Sequence, residues 1–211
     1  MKKHILLFFC ILCLTACEDI QFKDLKRFNG SVIIGVSNFS DTIQKLDEPI
    51  KFQVSQGLTF DNILNNKQMT FDYEEIVEFS LGLSIMDTTG KTLVINEDFE
   101  VIQNGTSFSG ERIYPHFNTR NETYEATFEI KFLKEGIYLI FSVNPNLFLK
   151  RDNFLFRDKH LTADFDVNRR NLVLAKKHFN TYFEYLDYLG ENPQNDTSKG
   201  AQGLFALEVI K

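Results

Sequence analysis

Tryptophan is absent from this 211-residue chain, and its three cysteines, Cys10, Cys13 and Cys17, all lie near the amino terminus. Beyond Cys17 nothing can form a disulfide, a redox pair or a thiolate metal site. Histidine is also scarce, at positions 4, 116, 160 and 178. None of these forms a His-x-x-x-His or Glu-x-x-His pair, so no local signature of a catalytic zinc exists. Gly-x-Ser-x-Gly, Ser-x-x-Lys and glycine-rich phosphate loops are missing as well. Positive charge is in deficit, with 23 Lys and Arg against 29 Asp and Glu. The lack of a basic face argues against nucleic acid as a partner. The longest apolar run, Ile5 to Leu14, would span only ~15 Å as a helix, about half a bilayer core.

What the chain does have is phenylalanine, 22 of them, enough large apolar area to build a core without cross-links. It also has an amino terminus with the parts of a secretory signal. Lys2 and Lys3 are followed by the apolar run Ile5 to Leu14 and then by small residues before Cys17. The ending Leu14-Thr15-Ala16-Cys17 resembles the lipobox of bacterial lipoproteins. That resemblance implies cleavage before Cys17, a lipidated Cys17 thiol and an acylated new amino terminus. Several acyl chains anchor a protein firmly, whereas one alone holds only reversibly. The alternative is a plain cleaved signal peptide with Cys17 an incidental thiol.

Glu18 and Asp19 follow the cysteine, similar to the surface-export signal of Bacteroidota lipoproteins. Asp41-Thr42-Ile43 and Asp87-Thr88-Thr89 resemble the O-glycosylation acceptor of the same phylum, which implies modification at Thr42 and Thr88. Cleavage would remove 16 residues and leave 195, room for one large domain or two small ones. Loss of Lys2 and Lys3 would move the formal charge from −6 to −8. The expected organisation is a signal peptide at 1–16, a lipidated cysteine and tether at 17–29, and one β-sandwich domain at 30–211. There is no internal repeat, low-complexity segment or domain boundary within that last span.

Within the domain, Ser31–Ser37 and Lys51–Ser55 read as strands, and the polar, Asn-rich Asp61–Thr70 reads as a loop. Phe79, Leu81, Leu83 and Ile85 alternate with polar or small residues across Glu78–Met86, as a strand with one buried face requires. The turn Asp87-Thr88-Thr89-Gly90 then predicts a hairpin with Lys91–Asn96, and Asn104-Gly105 a second one joining Phe99–Gln103 to Thr106–Ser109. Tyr124, Ala126, Phe128, Ile130 and Phe132 share one face of a strand over Thr123–Lys134. Glu135-Gly136 would fold it onto Ile137–Val143, with Ile137, Leu139, Phe141 and Val143 facing inward. This Gly-x-Tyr hairpin resembles the late strands of immunoglobulin-like sandwiches, a likeness of fold and not of function. Asn144-Pro145-Asn146 would break the sheet, and Leu147–Arg157, Leu161–Val167 and Leu204–Ile210 supply further strands. Leu172, Ala175, Phe179, Tyr182, Leu186 and Leu189 fall on one stripe of an amphipathic helix. Asn168 or Asn171 would cap its start and Gly190 would end it. Roughly ten strands and one helix near the carboxyl end predict a mainly β fold, an antiparallel, immunoglobulin-like β-sandwich.

Two clusters could carry chemistry. Asp164, Asp166 and Asn168 resemble the first half of an EF-hand calcium loop, where alternating oxygen ligands converge on a hard cation. The sixth position is Arg169 rather than Gly and the twelfth Ala175 rather than Glu, so a solvated strand accounts for them better. Tyr182, Tyr185 and Tyr188 could stack on sugar rings, or simply bury the helix against the sheet. The expectation is therefore a lipid-anchored protein of the outer membrane, more at the cell surface than on the periplasmic face. It would act by binding, without catalysis and without a cofactor. Its partners would be the membrane, through the anchor, and an outer-membrane protein complex or a glycan. The alternatives are a pilin-like or adhesin-like structural subunit completed by strand donation, and an exported hydrolase.

Overall fold

The computed structural model describes residues 28–38, 42–46, 48–62, 67–103, 108–149, 159–166, 169–180 and 203–211. Among these residues thirteen strands form two sheets that pack face to face, a β-sandwich. In chain order they are β1 (Phe28–Ser37), β2 (Ile43–Lys45), β3 (Ile50–Gln56), β4 (Thr59–Asn62), β5 (Lys67–Thr70), β6 (Ile76–Asp87) and β7 (Phe99–Ile102). Then come β8 (Arg112–Ile113), β9 (Asn118–Arg120), β10 (Thr123–Phe132), β11 (Gly136–Leu149), β12 (Lys159–Asp166) and β13 (Leu204–Ile210). The larger sheet runs β5-β4-β1-β3-β10-β7, with β12 paired to β1 and β9 to β10. The smaller runs β2-β13-β11-β6-β8. Among the described residues a single α-helix, α1 (Arg169–His178), packs on β13.

The core lies between the sheets. From the larger sheet it takes Val32, Ile34, Phe52, Val54, Phe128, Ile130 and Phe165. The smaller sheet contributes Leu81, Leu83, Ile85, Ile140, Phe205 and Leu207. The period-two readings of β6 and β10 hold, because each of these strands turns one apolar face to that core, and the strand expected over Lys51–Ser55 is β3.

Several expectations fail for identifiable reasons. Asp61–Thr70 is not a plain loop, since β4 and β5 pair across it. Phe60 points into the core while the Thr59 and Thr70 hydroxyls bond at 2.9 Å and Gln68 Nε2 donates to Asp61 Oδ1 at 3.1 Å. A strand at a sheet's margin can be this polar because one face and one edge stay in water. β1 begins at Phe28, two residues inside the segment expected to be tether. The sheets are mixed rather than antiparallel, because β1 pairs β12 and β13 pairs β2 in parallel. Those pairings join residues more than a hundred positions apart, and local turn signals are silent about them.

Glu135-Gly136 does not close a hairpin. β10 lies in one sheet and β11 in the other, so residues 133–135 form a corner that crosses the sandwich. Tyr138 holds this corner. Its ring stacks on Phe132 at 4.6 Å, and its hydroxyl donates to the carbonyls of Lys134 (3.1 Å) and Glu135 (3.3 Å). A tyrosine bonding back to the backbone just upstream is the local feature shared with immunoglobulin-like sandwiches. The inward face of β11 is consequently Tyr138 and Ile140. Leu139, with the half-buried Ile137 and Phe141, faces outward instead, beneath Leu174, Ala175 and Phe179 of the helical segment. Near-continuous apolar sequence is what a strand covered on both faces needs.

Asn144-Pro145-Asn146 does not end the strand either. β11 continues to Leu149 with its register shifted between Val143 and Asn146, and an irregularity of that kind accommodates a proline within a sheet. Lys91–Asn96 forms no named strand, but it returns along β6 through a bridge from Met86 to Thr92 and a hydrogen bond from the Leu93 amide to the Ile85 carbonyl at 2.8 Å. β7 pairs with β10; of Thr106–Ser109 only residues 108 and 109 are described, and they extend no strand. Asn171 is buried within the first turn of α1, where its Nδ2 donates to the Ala206 carbonyl at 2.8 Å, so it braces β13 and does not cap the helix. The signal, Cys17, Asn168, most of Leu147–Arg157, the stripe beyond Asn180, and Gly190 lie outside the described residues.

Candidate functional site

The faces of the sandwich differ in what covers them. On the outer face of the smaller sheet, α1 shields Leu139, Leu204 and Ala206. Beside it the Tyr114 ring lies over Gly82, where even a Cβ would meet the ring at 2.9 Å and the Val143 carbonyl at 2.6 Å. The outer face of the larger sheet carries charged pairs beside the exposed Ile33. Lys51 stands opposite Glu129 and Glu100 opposite Lys131 in neighbouring strands, an arrangement that stabilises each pair modestly.

The two ends differ more. β1 begins, β6 begins and β11 ends at one of them, with the start of β10 close by, where Tyr124 opposes Gln56. The opposite end carries the 133–135 corner and the carboxyl terminus. There Asp98, 7% exposed, accepts from Lys134 Nζ at 2.7 Å and from the Val94 amide at 3.0 Å, while its carbonyl accepts from the Leu133 amide. The Lys134 hydrogen bond and the Val94 amide hold the Asp98 carboxyl below the usual carboxylate range, against the effect of burial. Asp87 is lowered too. Burial pushes it up, but hydrogen bonds from Thr89 and from the Lys91 amide outweigh this and clamp the Asp87–Lys91 turn.

Asp98 supplies a pH-dependent element of stability. Its folded pKa lies below the unfolded value near 3.9, so its contribution is complete above about pH 5 and is lost as the pH falls through 4 and below. An Asp98→Asn variant is expected to show a flatter loss of stability in that window than the wild type. Urea midpoints measured from about pH 6 to about pH 3 check this, and parallel acid limbs for the two proteins would remove the assignment.

At the end where β1 begins, aromatic rings connect the core to the surface. Phe60 meets Phe79 at 6.3 Å, Phe79 meets Tyr124 at 5.2 Å, and Tyr124 meets Tyr73 at 6.3 Å. Phe117 packs edge-on against Phe79 at 4.8 Å. Phe60, Phe79 and Tyr124 are buried, whereas Tyr73 is 44% exposed. Burial, with Tyr73 beside it, pushes the Tyr124 hydroxyl up. Tyr73 sits in a single 3-10 turn, Tyr73–Glu75, fixed where the Glu75 carboxylate accepts from the Asp72 amide at 3.2 Å. Neither tyrosine stood out as a candidate in the sequence. Tyr124 read as one more inward strand residue, and nothing local says that position 73 meets position 124.

The residues singled out from sequence are dispersed. Asp164 and Asp166 lie on β12, and the Asp164 carboxylate accepts from Ser31 Oγ at 3.0 Å. Alternate residues of a strand stand ~6.6 Å apart, so this extended pair does not wrap a single cation as a loop would. Among the described residues no group of three or more His, Cys, Asp or Glu could hold a metal ion. Tyr182, Tyr185 and Tyr188 lie outside the described residues. Thr42 occupies a turn before β2 and Thr88 the exposed tip of the Asp87–Lys91 turn, both at the end opposite the start of β1. His116 is exposed on a loop that Gln103 fastens through two hydrogen bonds of 2.9 Å to the His116 backbone, and His178 ends α1. No helix among the described residues is long and apolar enough to cross a membrane. The chain matches no protein-family model, no curated protein and no solved structure.

Proposed function

We propose that this protein is a lipid-anchored component of the outer membrane, displayed at the cell surface, that acts by binding a partner in an outer-membrane complex or a glycan. The observation that carries the reading is the sequence Leu14-Thr15-Ala16-Cys17 behind a charged start and an apolar run. The ten residues from 18 to 27 separate that cysteine from β1. As a flexible chain they would reach about 18 Å, enough to hold the sandwich clear of lipid headgroups. In this reading Thr42 and Thr88 face away from the membrane, which suits modification at an exposed surface. Binding is favoured over strand donation because Leu204–Ile210 already pairs on both sides within its own chain, with β11 and β2.

The test is affinity purification from native membranes in mild detergent, with a tag after Lys211 and a Cys17→Ser control that lacks the lipid acceptor. One outer-membrane protein recovered in near-equal amount, and lost in the control, is the expected result. Recovery of the tagged protein alone would overturn the accessory reading.

A further inference from the structure

The geometry points to Tyr73, backed by Tyr124, as a docking point for a cationic segment of a partner protein, one that presents lysine or arginine side chains. This names a partner class for the binding reading and rests on it. The Phe60–Phe79–Tyr124–Tyr73 series ends at the surface with one ring nearly half exposed. Tyr124 and the rings behind it support Tyr73 from within, so the ring is held ready rather than ordered on contact. Preorganisation of this kind lowers the entropic cost of association.

Charge decides the occupant. Asp72, Glu74 and Glu75 flank Tyr73 in sequence, and Glu122 lies in the turn that precedes the strand of Tyr124, with Arg120 on the other side of that turn. Asp72, Glu74 and Glu122 are exposed, and the Glu75 carboxylate is committed to the Asp72 amide. An aromatic face attracts ammonium and guanidinium groups through its quadrupole. The surrounding carboxylates steer such groups in and repel acidic partners. An apolar partner would have to desolvate these carboxylates without pairing them, which is unfavourable.

The absence of tryptophan leaves tyrosine as the emitter, so binding is readable in the intrinsic fluorescence of the full-length chain in neutral detergent. A hexa-arginine peptide is the probe, at low salt, where exposed charges are least screened. Tyr73→Ala is expected to weaken binding about fivefold and Tyr73→Phe to restore it, since the ring face is what attracts the cation. Glu74→Gln should weaken it as well, whereas Glu48→Gln, at the opposite end of the sandwich, should leave it unchanged. Anisotropy of a labelled peptide gives the same comparison without relying on Tyr73 emission, and unfolding midpoints confirm that each variant is folded. Binding unchanged in Tyr73→Ala, or weakened equally by Glu48→Gln, overturns the proposal. So does a lack of binding to the wild type. If the tagged chain still recovers its membrane partner in that case, the binding reading survives and only this docking point is lost.

Discussion

Replacing Phe52 by alanine is expected to destabilise the protein by about 3–5 kcal/mol, seen as a large fall in the urea midpoint. Phe52 is fully buried on β3 and touches rings from three other strands. It stacks on Phe128 of β10 at 5.3 Å and meets Phe165 of β12 at 6.3 Å and Phe205 of β13 at 6.1 Å, both edge-on. The first two contacts lie within its own sheet and the third crosses to the other, so one truncation opens a cavity at the centre of the sandwich. No disulfide offsets this among the described residues, which contain no cysteine. A loss of that size is a substantial part of the ~5–15 kcal/mol by which domains are stable at all. Ile33→Ala, on the neighbouring strand, provides the contrast. Ile33 is 64% exposed on the outer face, and its truncation should change stability by no more than about 0.5 kcal/mol. Similar losses for the two variants would mean that the aromatic centre does not organise the core.

The difference between Phe52 and Ile33 also marks where sequence reading succeeds. Strand existence and the inward face of β6 and β10 follow from alternation, because a pleated strand with one wet face imposes it on the residues themselves. Pairing is a different matter. Phe132 and Tyr138 stand six positions apart with a Gly between them, which describes a hairpin and a corner between sheets equally well. The Tyr138 hydroxyl and the Asp98–Lys134 pair decide for the corner, and Asp98 lies 36 residues from Lys134. The inward face of β11 is hidden from the sequence for a related reason. Gly136-Ile137-Tyr138-Leu139-Ile140-Phe141 is apolar on both faces, and which face meets the helix depends on where the chain returns after position 160. The Tyr73–Tyr124 pair was illegible on the same ground, since each residue is ordinary alone and the site exists only through β6 and β10 lying in facing sheets. Asp164 and Asp166 show the converse. Their spacing suggests a cation loop, and it is the spacing of a strand that puts both on one face, Asp166 exposed and Asp164 half-buried against Ser31.

Deleting residues 204–211 is expected to abolish cooperative folding altogether. β13 is the last segment of the chain, yet it occupies an interior position of the smaller sheet, hydrogen-bonded to β11 on one side and β2 on the other. Phe205, Leu207 and Val209 fill the main core while Leu204 and Ala206 seat the helix, so both layers lose their floor together. The deletion also strips Asn171 of its acceptor at Ala206 and leaves a buried amide to be satisfied elsewhere, a cost of about 1–3 kcal/mol on its own. The sum exceeds what a domain of this size has in reserve. Circular dichroism should show loss of the thermal transition in the shortened chain. A synthetic peptide of residues 204–211 added in excess should restore it in part, because the vacated groove between β11 and β2 is a strand-shaped template. The intact chain should ignore the same peptide, since its own strand holds that position at an effective concentration no free peptide reaches. Exchange of labelled peptide into the intact protein would reverse the preference argued here and make a subunit completed by strand donation the better account. A shortened chain that still melts cooperatively would show that the smaller sheet closes without its final strand.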